Sequence, residues 1–73
     1  MKATYIITCD KNTIRVFNSN TGFLIKSFNV PGVIINGPIQ SENLFTVIVN
    51  INGRNQGRIY KLPNCFLHKT FNV

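Results

Sequence analysis

The side chains that could do chemistry in this chain are few. Its only carboxylates are Asp10 and Glu42, its only imidazole is His68, and its thiols are Cys9 and Cys65. So small a set nearly excludes chemistry that needs paired acids, a nucleophile–histidine–acid relay or a multi-ligand metal site. Asp10 precedes Lys11-Asn12, a setting in which an Asx side chain bonds backbone N–H groups two residues on, so it reads as a turn former. His68 has no acid near it in sequence and reads as a packed or half-exposed ring. Cys9 lies inside an apolar run and, by alternation, is expected to be a small core residue. The stretch Gly53-Arg54-Asn55-Gln56-Gly57 has the glycines of a phosphate loop, but no helix follows to point its N–H groups at an anion. It reads as a hairpin loop. The expectation is a protein that is not an enzyme and takes no metal and no cofactor.

Charge is the more informative chemistry. Eight Lys plus Arg against two acids give +6 on 73 residues. That field favours an acidic protein surface or nucleic acid as partner. Hydrophobic residues make up 44% of the chain, which is too many for disorder driven by low hydrophobicity. A membrane span needs about 20 largely apolar residues, and the longest apolar stretch, Leu44 to Ile51, is strand-sized and broken by Asn50. Met1-Lys2-Ala3-Thr4 leads directly into patterned sequence, with no signal peptide and no membrane partner expected. Two cysteines do not make a disulfide framework, and thiols suit a reducing cytoplasm. Heavy use of Asn, Ile, Phe and Lys hints at an AT-rich viral or phage genome, which would place the chain in a host cytoplasm or a virion.

The elements that must position these groups are all extended. Short β-branched and aromatic runs alternate with Gly, Pro, Asn and Asp from end to end. Strands are predicted over Tyr5 to Cys9, Thr13 to Asn18, Phe23 to Val30, Val33 to Ile39, Leu44 to Asn50, Arg58 to Leu62 and Phe66 to Phe71. Turns are predicted at Asp10-Lys11-Asn12, Ser19 to Gly22, Pro31-Gly32 and Asn52 to Gln56. Gly37-Pro38 inside the fourth strand implies a bulge or an edge position. No window keeps helical spacing, so the chain is expected to be all-β with about seven strands.

Shifting the sequence by 43 positions lays Lys11–Val30 on Arg54–Val73 without a gap and gives eight identities in twenty. They are Asn12/Asn55, Arg15/Arg58, Phe23/Phe66, Leu24/Leu67, Lys26/Lys69, Phe28/Phe71, Asn29/Asn72 and Val30/Val73. Two internal copies are therefore expected, over 1–30 and 31–73. A period of roughly 40 to 45 residues is that of four-stranded propeller blades. Thr8-Cys9-Asp10-Lys11-Asn12-Thr13-Ile14-Arg15-Val16-Phe17-Asn18, followed by Thr21-Gly22 and Leu24, resembles a WD-repeat. In that family Asp in the tight turn and Ser or Thr before it join a Trp and a His in a hydrogen-bonded tetrad. Thr8 and Asp10 match, Phe17 stands for the Trp, Asn18 stands for the Asp after it, and the Gly-His dipeptide is missing. A phenyl ring has no N–H, so the tetrad is incomplete. Gly53 falls where the second copy should carry its Asp.

The resemblance implies a three-stranded and a four-stranded propeller-like blade. Two blades cannot close a ring, since propellers typically need about four to eight. Completion by a homo-oligomer or by docking onto a larger protein is expected, with a small β-barrel or sandwich as the alternative that needs no partner. Six of the eight cations form matched pairs, Lys11/Arg54, Arg15/Arg58 and Lys26/Lys69, so charge is expected to recur at the same place on each blade. These six are the candidate basic binding face, and Phe17, Tyr60, Phe23 and Phe66 are aromatics that could stack on bases. The function expected is a self-associating interaction or structural module. A small basic nucleic-acid binder and a viral or phage structural or accessory subunit are the alternatives. If Phe28 and Phe71 are equivalent core positions, either truncation to Ala should cost about 3–5 kcal/mol.

Overall fold

The computed structural model describes residues 5–62 and 64–73. The reading of Met1–Thr4 as lacking a signal peptide lies outside the described residues. Seven strands follow one another: β1 (Tyr5–Asp10), β2 (Thr13–Asn18), β3 (Leu24–Asn29), β4 (Val33–Ser41), β5 (Leu44–Ile51), β6 (Arg54–Lys61) and β7 (Phe66–Asn72). They form two antiparallel sheets, three-stranded β1-β2-β3 and four-stranded β4-β5-β6-β7. Each sheet pairs strands in chain order, and its outer strands have open edges, so the chain does not close into a barrel.

Local chemistry explains the hairpins. Asn52 and Gly53 both have positive φ, 53° and 84°, the two-residue turn that matches strand twist and that Asn-Gly favours. The turn is tighter than the one expected over Asn52 to Gln56. β6 therefore begins at Arg54, and Arg54 to Gly57 is strand rather than hairpin loop. The extension is held by Asn50, whose Nδ2 donates to Asn55 Oδ1 at 2.9 Å and whose Oδ1 accepts from Gly53 N. At the other turn, Asn18 Oδ1 accepts from Asn20 N and Thr21 N, which closes an Asx turn. The Gly37-Pro38 region is irregular as expected: β4 is an edge strand whose register shifts on both sides of Asn36.

One core lies between the sheets. Ile14 and Val16 of β2 and Phe45, Val47 and Val49 of β5 are fully buried, with Val30, Tyr60, Leu62 and Cys65 around them. Tyr5, Ile7, Cys9, Phe28, Ile34 and Ile51 pack against it from partly buried positions. Cys9 is thus the small core-lining residue its alternation implied. Tyr60 is the hinge of this layer, stacked on Phe45 at 5.3 Å and edge-on to Phe28 at 5.1 Å between centroids.

The chain passes from β3 to β4 over the tip of the first hairpin. Val30 N donates to Asn12 O and Ile34 N to Lys11 O. Gly32 makes this crossing with φ 75°, and a Cβ there would collide with the Asn50 carbonyl oxygen.

Candidate interaction faces

Residues directly opposite each other in an antiparallel ladder share a face of the sheet. The rows Cys9–Ile14–Phe28 and Ile7–Val16–Lys26 therefore line the face of the first sheet turned toward the core. The rows Phe45–Tyr60–Leu67, Val47–Arg58–Thr70 and Val49–Gln56–Asn72 line the core-facing side of the second.

Adding 43 to every residue of the β2–β3 pairing reproduces the β6–β7 pairing, from Thr13↔Asn29 and Gln56↔Asn72 to Phe17↔Leu24 and Tyr60↔Leu67. The irregularity between Val16 and Phe17 returns between Ile59 and Tyr60. Two loop bonds keep the same offset: Gly22 N to Asn18 O and Cys65 N to Lys61 O, and Val30 N to Asn12 O and Val73 N to Asn55 O. Gly22 and Cys65 both have positive φ, so a cysteine occupies a left-handed position that the first hairpin fills with glycine.

The first strands match under a different offset. Asn18, the partner of Tyr5, corresponds to Lys61, the partner of Leu44, so β1 maps on β5 with a shift of 39. The difference is the two extra pairs at the second hairpin tip, Asn50↔Asn55 and Ile51↔Arg54. Two expectations change as a result. The position equivalent to Asp10 is the buried Val49, not Gly53. Lys11 sits in a two-residue turn while Arg54 opens a strand, so these two cations do not occupy equivalent places. A gapless alignment could not show this, because an insertion shared by both arms of a hairpin is compensated only through pairing.

The other candidate cations divide between the faces. Arg58 lies half-buried in the inter-sheet layer, with Nε donating to Tyr60 Oη and Nη1 to Gln56 Oε1, both at 2.8 Å. Its counterpart Arg15 is exposed on the outer face of the first sheet. Lys26 is exposed and reaches the loop between β6 and β7, with Nζ donating to Asn64 O at 3.0 Å. Its counterpart Lys69 is exposed on the outer side of the second sheet. One member of each pair therefore makes a hydrogen bond within the chain, while the other is exposed on an outer face. His68 is exposed at the β7 irregularity, between Leu67 and Lys69. Among the described residues no group of three or more His, Cys, Asp or Glu side chains could hold a metal ion, and no helix is long and apolar enough to cross a membrane.

Apolar exposure is extensive. Ile6, Leu24, Val33, Ile35 and Ile39 are more than half exposed, and Phe23, Phe66 and Val73 exceed 60%. Phe71, the counterpart of the core-packed Phe28, is 40% exposed and lies over Gly57, where Phe28 has Ile14 beside it. Equal costs for truncating Phe28 and Phe71 are therefore not expected in an isolated chain.

Burial pushes both thiols up, and the Lys26 ammonium partly offsets this at Cys65. Folding thus favours the protonated form, a contribution intact below the unfolded thiol's pKa and lost as pH rises past it. Iodoacetamide at neutral pH should alkylate the folded chain more slowly than the urea-unfolded chain at both cysteines. Equal rates, read by mass spectrometry, would contradict the packing described for them.

No family model matches this chain, and neither a curated protein nor a solved structure matches it.

Proposed function

We propose that the chain is a non-enzymatic, β-propeller-like interaction or structural module that is completed by self-association and presents a basic surface. The two sheets are, in this reading, two copies of one blade, WD-like in the first hairpin and divergent in the second. The observation that carries it is the relation between the faces. Each sheet offers to solvent the face whose counterpart on the other sheet is buried inside the chain. A pair of blades with such faces has unfilled packing at both ends, and the exposed Ile6, Leu24 and Phe71 lie on those ends.

Cations lie on both outer faces, Arg15 on the first sheet and Lys69 on the second, and Lys11 and Arg54 lie near the hairpin tips at places that are not equivalent. Assembly would multiply the +6 of each chain and leave Lys11 and Arg54 on the rim to meet an acidic surface.

Coupling of folding to assembly makes thermal stability depend on concentration. The melting temperature should rise by several degrees between low and high micromolar chain. A melting temperature that stays constant over that range would refute self-association as the source of stability.

A further inference from the structure

We propose that copies of this chain join head to tail, the outer face of the first sheet in one copy packing on the outer face of the second sheet in the next. This rests on the self-associating reading and specifies its contact. Within the chain, the first sheet presents Cys9–Ile14–Phe28 and Ile7–Val16–Lys26 to the second sheet's Phe45–Tyr60, Val47–Arg58 and Val49–Gln56. The rows Ile48–Gly57–Phe71 and Thr46–Ile59–Lys69 repeat the first set under the same offsets, on the outer side of the second sheet. The rows Ile6–Phe17–Leu24, Thr8–Arg15–Ser27 and Asp10–Thr13–Asn29 repeat the second set on the outer side of the first. One end of the molecule is thus a socket of the kind already filled inside the chain, and the other end is the matching plug.

The chemistry corresponds side chain by side chain. Ile6 stands for the fully buried Phe45 and is 51% exposed; Phe17 stands for Tyr60 and Leu24 for Leu67. As Phe28 meets the Tyr60 ring inside the chain, Phe71 meets Phe17 of the next copy. As Lys26 reaches Asn64 O, Lys69 reaches the backbone carbonyl of Thr21 in the next copy. Thr8 and Asp10 stand where the second sheet has Val47 and Val49, so the contact between copies is more polar than the one within the chain. Such an interface uses a different patch on each partner, and it closes a ring where the rotation per chain allows.

A mixing experiment reads this asymmetry. Ile6→Asp damages only the plug and Phe71→Asp only the socket, and both positions are solvent-exposed in the single chain. Each variant alone should lose self-association by about thirtyfold or more, the effect of removing a central anchor. An equimolar mixture should form a one-to-one heterodimer, because one plug and one socket remain intact. Circular dichroism checks folding, and Leu24→Asp with Lys69→Glu supplies the same contrast should either variant fail to fold. Wild-type chain that associates while the folded variants do not complement each other overturns the head-to-tail contact alone. Wild-type chain that stays monomeric overturns the self-associating reading as well.

Discussion

Replacing Phe45 with alanine is expected to remove a large part of the chain's folding stability. Phe45 is fully buried near the start of β5, stacked on Tyr60 and part of the core shared with the first sheet. Truncating a buried Phe costs about 3–5 kcal/mol through lost transfer energy and the cavity left behind. A chain of 73 residues has only about 4–11 kcal/mol of stability in total. The cavity would also open beneath Tyr60, which positions both Phe28 and Arg58, so collapse cannot repair it without undoing the inter-sheet contact. Urea denaturation monitored by circular dichroism should show the transition shifted to much lower denaturant, by a loss of about 3–5 kcal/mol. A loss below about 1.5 kcal/mol, the usual range for a well-tolerated core swap, would mean that the two sheets do not share this core.

Gly32→Ala should be nearly as damaging for a different reason. Two terms act there: a left-handed φ that costs an L-residue about 1–2 kcal/mol, and a Cβ placed against Asn50 O and Ile51. The oxygen belongs to the backbone of the central strand β5, so the neighbour cannot swing aside. Strain of this kind adds about 1–3 kcal/mol. Gly53 provides the control, because it has a similar φ of 84° and nothing near the added carbon. Gly53→Ala should cost only the conformational term. Denaturation midpoints that coincide for the two variants would contradict the close crossing of the β3–β4 connection against β5.

The strands were legible from the sequence because each is a short β-branched or aromatic run closed by residues that accept positive φ or lack an N–H. Ser19 to Gly22, Pro31-Gly32 and the Asn52-Gly53 pair each mark a turn. The hairpin tip at Asn52-Gly53 was misjudged by length alone. Asn55, Gln56 and Gly57 are poor strand formers by type, yet the Asn50–Asn55 amide bond and pairing with β5 hold them extended. Faces were harder still. Arg15 and Arg58 are identical in the alignment, but one is exposed and the other bonds Tyr60 and Gln56 between the sheets. Sequence identity fixes position within a sheet, whereas burial depends on which side the neighbouring sheet lies. That second fact is set by the order of packing, and no local pattern encodes it.

We propose that this chain is two sheets with unfilled outer faces that other copies fill. Sedimentation equilibrium at tens of micromolar, in near-physiological salt, tests it most directly. Self-association gives a mass of at least twice the 8.3 kDa chain. A folded, monodisperse species of 8.3 kDa across that range would contradict it.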